Sequence, residues 1–153
     1  MGRGGAVATT TVAGIELMRS GNAKHHGLPL AALDESLTQG LASYESLVFG
    51  GWDFYDVDLE QAAENHDVLD PGQLEKVRSS LGSLSPWPAV GNERFCREVT
   101  GDHQVATSGH RETVDALQDD LRRFKSENDL DNLVVVNLAS TEARADPSLP
   151  VYG

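Results

Sequence analysis

Six residues late in the chain, Leu133-Val-Val-Val-Asn-Leu138, constrain the fold more than any other segment. A nearly unbroken apolar run flanked by polar residues is the pattern of a strand covered on both faces, the habit of parallel sheets. Leu47-Val-Phe49, closed by Gly50-Gly51, is expected to be a second buried strand. Between these runs the chain reads as helix. Ala8, Val12, Ile15 and Met18 share one face of a helix over 7–20, with Gly21 as its stop. That helix is intrinsically poor: Thr9, Thr10, Thr11 and Val12 are β-branched, and Gly14 costs about 1 kcal/mol relative to Ala. It is expected to form because something packs against its small residues, Ala8, Ala13 and Gly14.

Residues 22–45 carry little pattern and read as irregular, with a short helix over 34–43. Asp58 begins a helix through Leu59, Ala62 and Ala63, with Gln61 placed as in a capping box. Asp70-Pro71 opens another, with its stripe at Leu74, Val77, Leu81 and Leu84. Ser85-Pro-Trp-Pro88 breaks the pattern, and 85–109 reads as loop. The clearest helix spans 110–128, with Val114, Leu117, Leu121 and Phe124 as its stripe. Strands separated by helices give an α/β fold with a parallel sheet.

At 153 residues there is room for one core. Acidic residues outnumber basic ones 24 to 12, for a net charge of -12 and a pI near 4.6. Such a surface repels phosphate backbones and anionic lipid, which excludes nucleic acid and membrane surfaces as the main partners. No run approaches the roughly 20 apolar residues of a membrane span. Three threonines and Glu16 spoil the signal-like start, and Ala6 stands where myristoylation wants Ser or Thr. The single Cys96 rules out an internal disulfide. A cytoplasmic domain is expected. Three lysines against thirteen aspartates suit either a salt-hydrated surface or an ordinary acidic one.

The segment with evident chemistry is Gly2-Arg-Gly4-Gly5-Ala6-Val7, directly before the first helix. Clustered glycines let backbone turn tightly against a diphosphate, and free N–H groups at the helix start hold the anion. A Rossmann fold also needs a strand before that turn, where this chain has only Met1. Either the motif is accidental or the domain lacks its opening strand.

The pattern Gly2-x-Gly4-Gly5-x-x-x-Thr9, then Phe49-Gly-Gly-Trp-Asp-Phe54, Asp67-Val-Leu69, Phe124-Lys-Ser-Glu-Asn128 and Leu133-Val-Val-Val-Asn-Leu-Ala-Ser-Thr-Glu142 resembles the inositol-3-phosphate synthase (myo-inositol-1-phosphate synthase) family. Gly-Trp-Asp and Ala-x-Thr-Glu are its specific parts. The resemblance covers the family's N-terminal NAD-binding region. It implies that residues 1–153 are an incomplete Rossmann-like domain, its first strand missing and the family's C-terminal catalytic and oligomerising half absent. It implies NAD as cofactor, glucose 6-phosphate as substrate of the full-length enzyme and a homo-oligomer when complete. In the family NAD oxidises a sugar carbon, the acidified neighbour closes the ring by aldol attack, and the hydride returns, so the net reaction is an isomerisation. The lysines that handle phosphate and enolate charge lie in the C-terminal half, so the resemblance assigns no catalytic residue here, and the chain alone is expected to be inactive.

The resemblance further implies that the backbone of Gly2, Gly4, Gly5, Ala6 and Val7 holds the dinucleotide diphosphate. It places Asp53 on the adenosine ribose and Leu138, Ala139, Ser140 and Thr141 against the cofactor, with Val90 lining it too. Ala6 and Val7 replace asparagines common in relatives, and Leu138-Ala-Ser-Thr141 replaces the usual Thr-Ala-Asn-Thr, which removes side-chain donors there. The alternatives are a stand-alone dinucleotide-binding or interaction module and a part of another NAD-dependent oxidoreductase.

Other residues read more plainly. Asp53 after Gly-Gly also suits a turn. Trp52 and Trp87 read as buried or half-buried packing rather than adenine stacking. His25, His26, His66, His103 and His110 show no metal-ligand spacing, and His66 reads as an edge-of-core residue. Cys96 has no activating neighbour in sequence, Glu142 and Asp146 read as solvated loop, and Lys125 as a surface ion pair.

Overall fold

The computed structural model describes residues 4–91 and 101–138. Helix α1 (Ala6–Arg19) forms in spite of its threonines because one face of it is buried in the core, while the exposed threonine hydroxyls are satisfied on the helix itself. Thr10 Oγ1 donates to Ala6 O at 2.7 Å and Thr11 Oγ1 to Val7 O at 2.8 Å, so neither hydroxyl competes with the backbone ladder. The helix stops at Gly21, whose φ of +70° and N–H to Met18 O close the last turn. The buried face differs from the expected one. It comprises Ala8, Thr9, Val12, Ala13 and Leu17, while Ile15 and Met18 lie half-buried beside it. Ala13 is fully enclosed, but no atom lies within 4 Å of where a Cβ on Gly14 would stand, so Gly14 takes no part in the packing.

A short helix α2 (Glu35–Thr38), capped by Asp34 onto Ser36 N–H, and a 3-10 turn at Tyr44–Ser46 interrupt an otherwise irregular stretch. Arg19 fastens that stretch to α1. Its Nε donates to Tyr44 O at 2.7 Å, its terminal nitrogens reach Leu47 O and Glu16, and its guanidinium lies 5.5 Å from the Phe49 ring centre.

The expected caps form, but the box read at Asp58–Gln61 closes on one side only, the Gln61 side-chain amide donating to Glu64 and Asn65 instead. Asp58 accepts Gln61 N–H at 2.8 Å to start α3 (Leu59–His66), and Asp67 ends it in a left-handed conformation, φ +51°. Asp70 and Gln73 form a reciprocal capping box at the start of α4 (Pro71–Gly82). Helices α1, α3 and α4 pack on one another, and Val12, Ala13, Leu17, Leu59, Ala63, Leu74, Val77 and Leu81 make the core between them.

Among the described residues three parallel strands stand in the order β1 (Trp52–Asp53), β2 (Trp87–Gly91), β3 (Gln104–Ala106). Trp52 is opposite Trp87 and Asp53 opposite Pro88, while Val90 is opposite Val105. Helix α5 (His110–Glu127) rests on β2 through Phe124, whose ring is 5.1 Å from Trp87. Trp87 meets Trp52 edge-on at 5.2 Å, and Trp52 Nε1 donates to Asp120 Oδ2 at 2.7 Å. Both tryptophans are therefore packing residues, as expected. Of the stripe of α5, Leu117, Leu121 and Phe124 are half-buried and Val114 is exposed.

The strands depart from the sequence reading in three places. Residues 47–51 are not a strand; pairing begins at Trp52. A Cβ on Gly50 would stand 2.5 Å from Trp87 Cζ2 and 2.9 Å from Phe124 Cε2, so Gly50 passes bare backbone over two rings. Residues 85–109 are not all loop, since they hold β2 and β3. Pro88 offers no N–H, but its neighbours do: Trp87 N–H bonds Gly51 O at 2.8 Å and Ala89 N–H bonds His103 O at 2.9 Å. Finally, the run Leu133–Leu138 is not in a strand, and Val134, Val135 and Val136 are exposed. A strand exists only with a partner ladder, and none of the described residues supplies one to this run. Among the described residues no helix is long and apolar enough to cross a membrane.

Candidate functional site

The glycine turn and the carboxyl end of β1 meet. Gly4 N–H donates to Asp53 Oδ2 at 2.8 Å across 49 residues of sequence, and Tyr55 N–H donates to Asp53 Oδ1 at 3.2 Å. Asp53 is buried, so its charge is held by these two backbone donors. A Cβ on Gly4 would stand 3.3 Å from Asp53 Oδ2, so a side chain there would crowd the carboxylate. On the far side of the turn, His66 Nε2 lies 2.7 Å from Gly4 O.

Gly5 is the N-cap of α1 and brings no side-chain cap. The first amide to find a helical partner is that of Thr9, bonded to Gly5 O at 3.0 Å. The N–H groups of the first turn, at Ala6, Val7 and Ala8, have no partner within the helix. That turn carries no acidic residue, although 24 of the 153 residues are acidic. Amides without a helical partner and the positive end of the helix dipole, on a first turn that itself bears no acidic side chain, together make a place for an anion.

These features sit at the carboxyl ends of parallel strands. Val90, buried in β2, lies two residues beyond Pro88, the partner of Asp53. Behind β1 the chain is held closely: His103 N–H donates to Phe54 O at 3.1 Å, and a Cβ on Gly101 would fall 2.3 Å from that oxygen. Asp53 therefore stands on a braced strand end.

Of the residues implied by the resemblance, the structure gathers Gly4, Gly5, Ala6, Val7 and Asp53 into one corner, with Val90 on the adjoining strand. Val7 is exposed and Ala6 half-buried, so what they offer is backbone. Leu138 is exposed at the end of the second described stretch. Gly2, Ala139, Ser140 and Thr141 lie outside the described residues, as do Cys96, Glu142 and Asp146. Among the described residues no three His, Cys, Asp or Glu side chains converge as a metal site would require. His66 is not at the core edge but exposed, and its contact with Gly4 spans 62 residues, so no spacing in the sequence announces it.

A glycine turn into a helix, a parallel sheet, and a carboxylate at the end of the adjoining strand define a Rossmann-like dinucleotide-binding domain. The residues present fit such a ligand: amides for the diphosphate and an acceptor for hydroxyls. The NAD-binding domain model of the myo-inositol-1-phosphate synthase family matches residues 31–151. Inositol-3-phosphate synthase 1 of Bacteroides thetaiotaomicron is 34% identical over 152 residues, covering 93% of this chain and 35% of that protein. Inositol-3-phosphate synthase isozyme 2 of Arabidopsis thaliana is 34% identical over 100 residues, covering 64% of this chain and 20% of its own length. The crystal structure of inositol-3-phosphate synthase from Caenorhabditis elegans superposes with a TM-score of 0.78 at 21% identity, over 92% of this chain and 33% of that one. The chain belongs to the inositol-3-phosphate synthase family, and the matched part is the family's NAD-binding domain. It spans about a third or less of the length of these relatives.

Proposed function

We propose that this chain is the coenzyme-holding portion of an inositol-3-phosphate synthase, an isomerase that converts glucose 6-phosphate to inositol 3-phosphate. The observation that carries the reading is the Gly4–Asp53 bond, because it joins an anion-binding helix start to a hydroxyl acceptor in one corner. When bound, NAD supplies a hydride acceptor that is restored within the cycle. The chain's own part is to bind and orient. First-turn amides of α1 take the diphosphate, and Asp53, whose carboxylate oxygens keep free lone pairs, accepts from the adenosine ribose. The same carboxylate repels the 2′-phosphate of NADP, which makes the site selective for NAD. Backbone at Gly2, the Val90 strand end and the segment Leu138, Ala139, Ser140 and Thr141 complete the cradle.

Turnover is assigned to the lysine-bearing half of the family's longer members, as is assembly into a homo-oligomer, and the setting is cytoplasmic. The isolated 153-residue chain accordingly binds NAD+ and releases no inositol phosphate from glucose 6-phosphate. Titration calorimetry with NAD+ and NADP+ tests this. The expected result is NAD+ binding at least tenfold tighter than NADP+, about 1.4 kcal/mol of discrimination. Equal affinities, or no NAD+ binding by a folded chain, would overturn the reading.

A further inference from the structure

We infer that His66 is a positioning residue for coenzyme binding: its Nε2–H holds the carbonyl of Gly4 and thereby aims the Gly5 N–H into the site. The inference rests on the reading of the glycine turn as the coenzyme cradle. Its basis is the 2.7 Å contact between His66 Nε2 and Gly4 O. A carbonyl only accepts, so Nε2 carries the proton and donates. Gly4 C=O and Gly5 N–H belong to one planar trans peptide unit, in which the two bonds point in opposite directions. Fixing the carbonyl toward His66 therefore fixes the Gly5 amide away from it.

The preceding peptide is fixed independently, since Asp53 takes the Gly4 N–H at 2.8 Å. Two successive peptide units of a turn built from permissive glycines are thus pinned, one by each side chain. His66 occupies the last turn of α3, which is buried against the core through Leu59, Ala62 and Ala63 and closed by the left-handed Asp67. The hook is mounted on a fixed element. Both the neutral Nε2–H tautomer and the imidazolium donate, so the hook works in either protonation state.

The test compares His66→Ala with His66→Gln, whose amide N–H can reach the same carbonyl. In the wild-type chain and both variants, NAD+ affinity is read by calorimetry and the backbone order parameter of Gly5 by amide relaxation NMR without coenzyme. His66→Ala is expected to weaken NAD+ binding about fivefold, the factor that one neutral hydrogen bond represents, and to lower the order parameter of Gly5. His66→Gln is expected to restore most of both, while order in the core of α1 and α4 stays at the wild-type level in all three. An unchanged Gly5 order parameter in His66→Ala overturns the positioning role, and so does a loss that His66→Gln fails to repair. Because the relaxation measurement needs no coenzyme, a wild-type chain that fails to bind NAD+ condemns the cofactor reading while the hook is still judged by the Gly5 backbone.

Discussion

Replacing Asp53 by Asn tests the central contact most directly. The carboxylate accepts two backbone N–H groups on different oxygens, from Gly4 at 2.8 Å and from Tyr55 at 3.2 Å, in a buried setting. An amide keeps one oxygen and turns an NH2 group toward the other donor. Hydrogen bonds to a charged group contribute about 1.5–3 kcal/mol, and taking the low end for both, since the second is long, gives about 3 kcal/mol. The variant retains one neutral bond of about 1 kcal/mol, for a net loss of about 2 kcal/mol. In a chain of this size that lowers the melting temperature by roughly 4–8 °C. Thermal melting by circular dichroism reads the loss, and calorimetry reads the coenzyme. NAD+ affinity should fall about tenfold through the weaker ribose acceptor, while NADP+ loses less because the repelling charge is gone. A variant that melts within 1 °C of wild type by this ~1 °C criterion and keeps its NAD+ to NADP+ ratio refutes the reasoning at both points.

Other outcomes follow from the same geometry. Gly14→Ala fills open space in mid-helix and should stabilise the chain by about 0.5–1 kcal/mol in urea unfolding, against the expectation that its smallness is needed for packing. Gly50→Ala drives a methyl into Trp87 and Phe124 and should destabilise by about 1–3 kcal/mol, with a changed near-ultraviolet tryptophan signal. The Ser108 hydroxyl and N–H bonds hold the Glu112 carboxyl below its ordinary value. A lowered carboxylate contributes stability that is complete above its unfolded pKa and lost as pH falls through the folded one, so Glu112→Gln should flatten the acid limb of a pH–melting curve. Raising ionic strength from about 10 to 150 mM should tighten NAD+ binding slightly, because screening removes repulsion by the net charge of -12 while contacts at the helix start persist. Steep weakening with salt would place cations, not amides, at the site.

The helices were legible because their signals are local. Asp58 ahead of Leu59, Asp70 with Pro71, and Gly21 each act within one turn, and each does in the structure what the residue type implies. The strands were not, because a strand is defined by its partner. Trp87–Gly91 reads as part of a break because Pro86 and Pro88 flank Trp87, yet ladders on both sides make it the middle one of the described strands. Leu133–Leu138 looked like the surest strand, yet without a ladder its valines stand in solvent. Apolar patterning reports what a segment would gain from burial and is silent about whether a neighbour is there to bury it.

The site divides along the same line. Its ingredients, glycines before a helix and an aspartate after Gly-Gly, can be read from composition and spacing; the join between them cannot. Asp53 suits a turn by its position after Gly-Gly and a ribose acceptor by the resemblance, and its bonds to Gly4 and Tyr55 N–H are compatible with both. A carboxylate that accepts Tyr55 N–H shapes the turn after β1, and the same group anchors the glycine turn and keeps lone pairs for a hydroxyl. The acidity of the chain resolves in similar fashion. A net charge of -12 is hostile to an anionic coenzyme at a distance, but the first turn of α1 bears no acid, and Asp53 meets the turn already engaged by two N–H donors. On the proposed reading, what decides binding is the field within a few ångströms of those amides, which the fold sets and the overall charge does not.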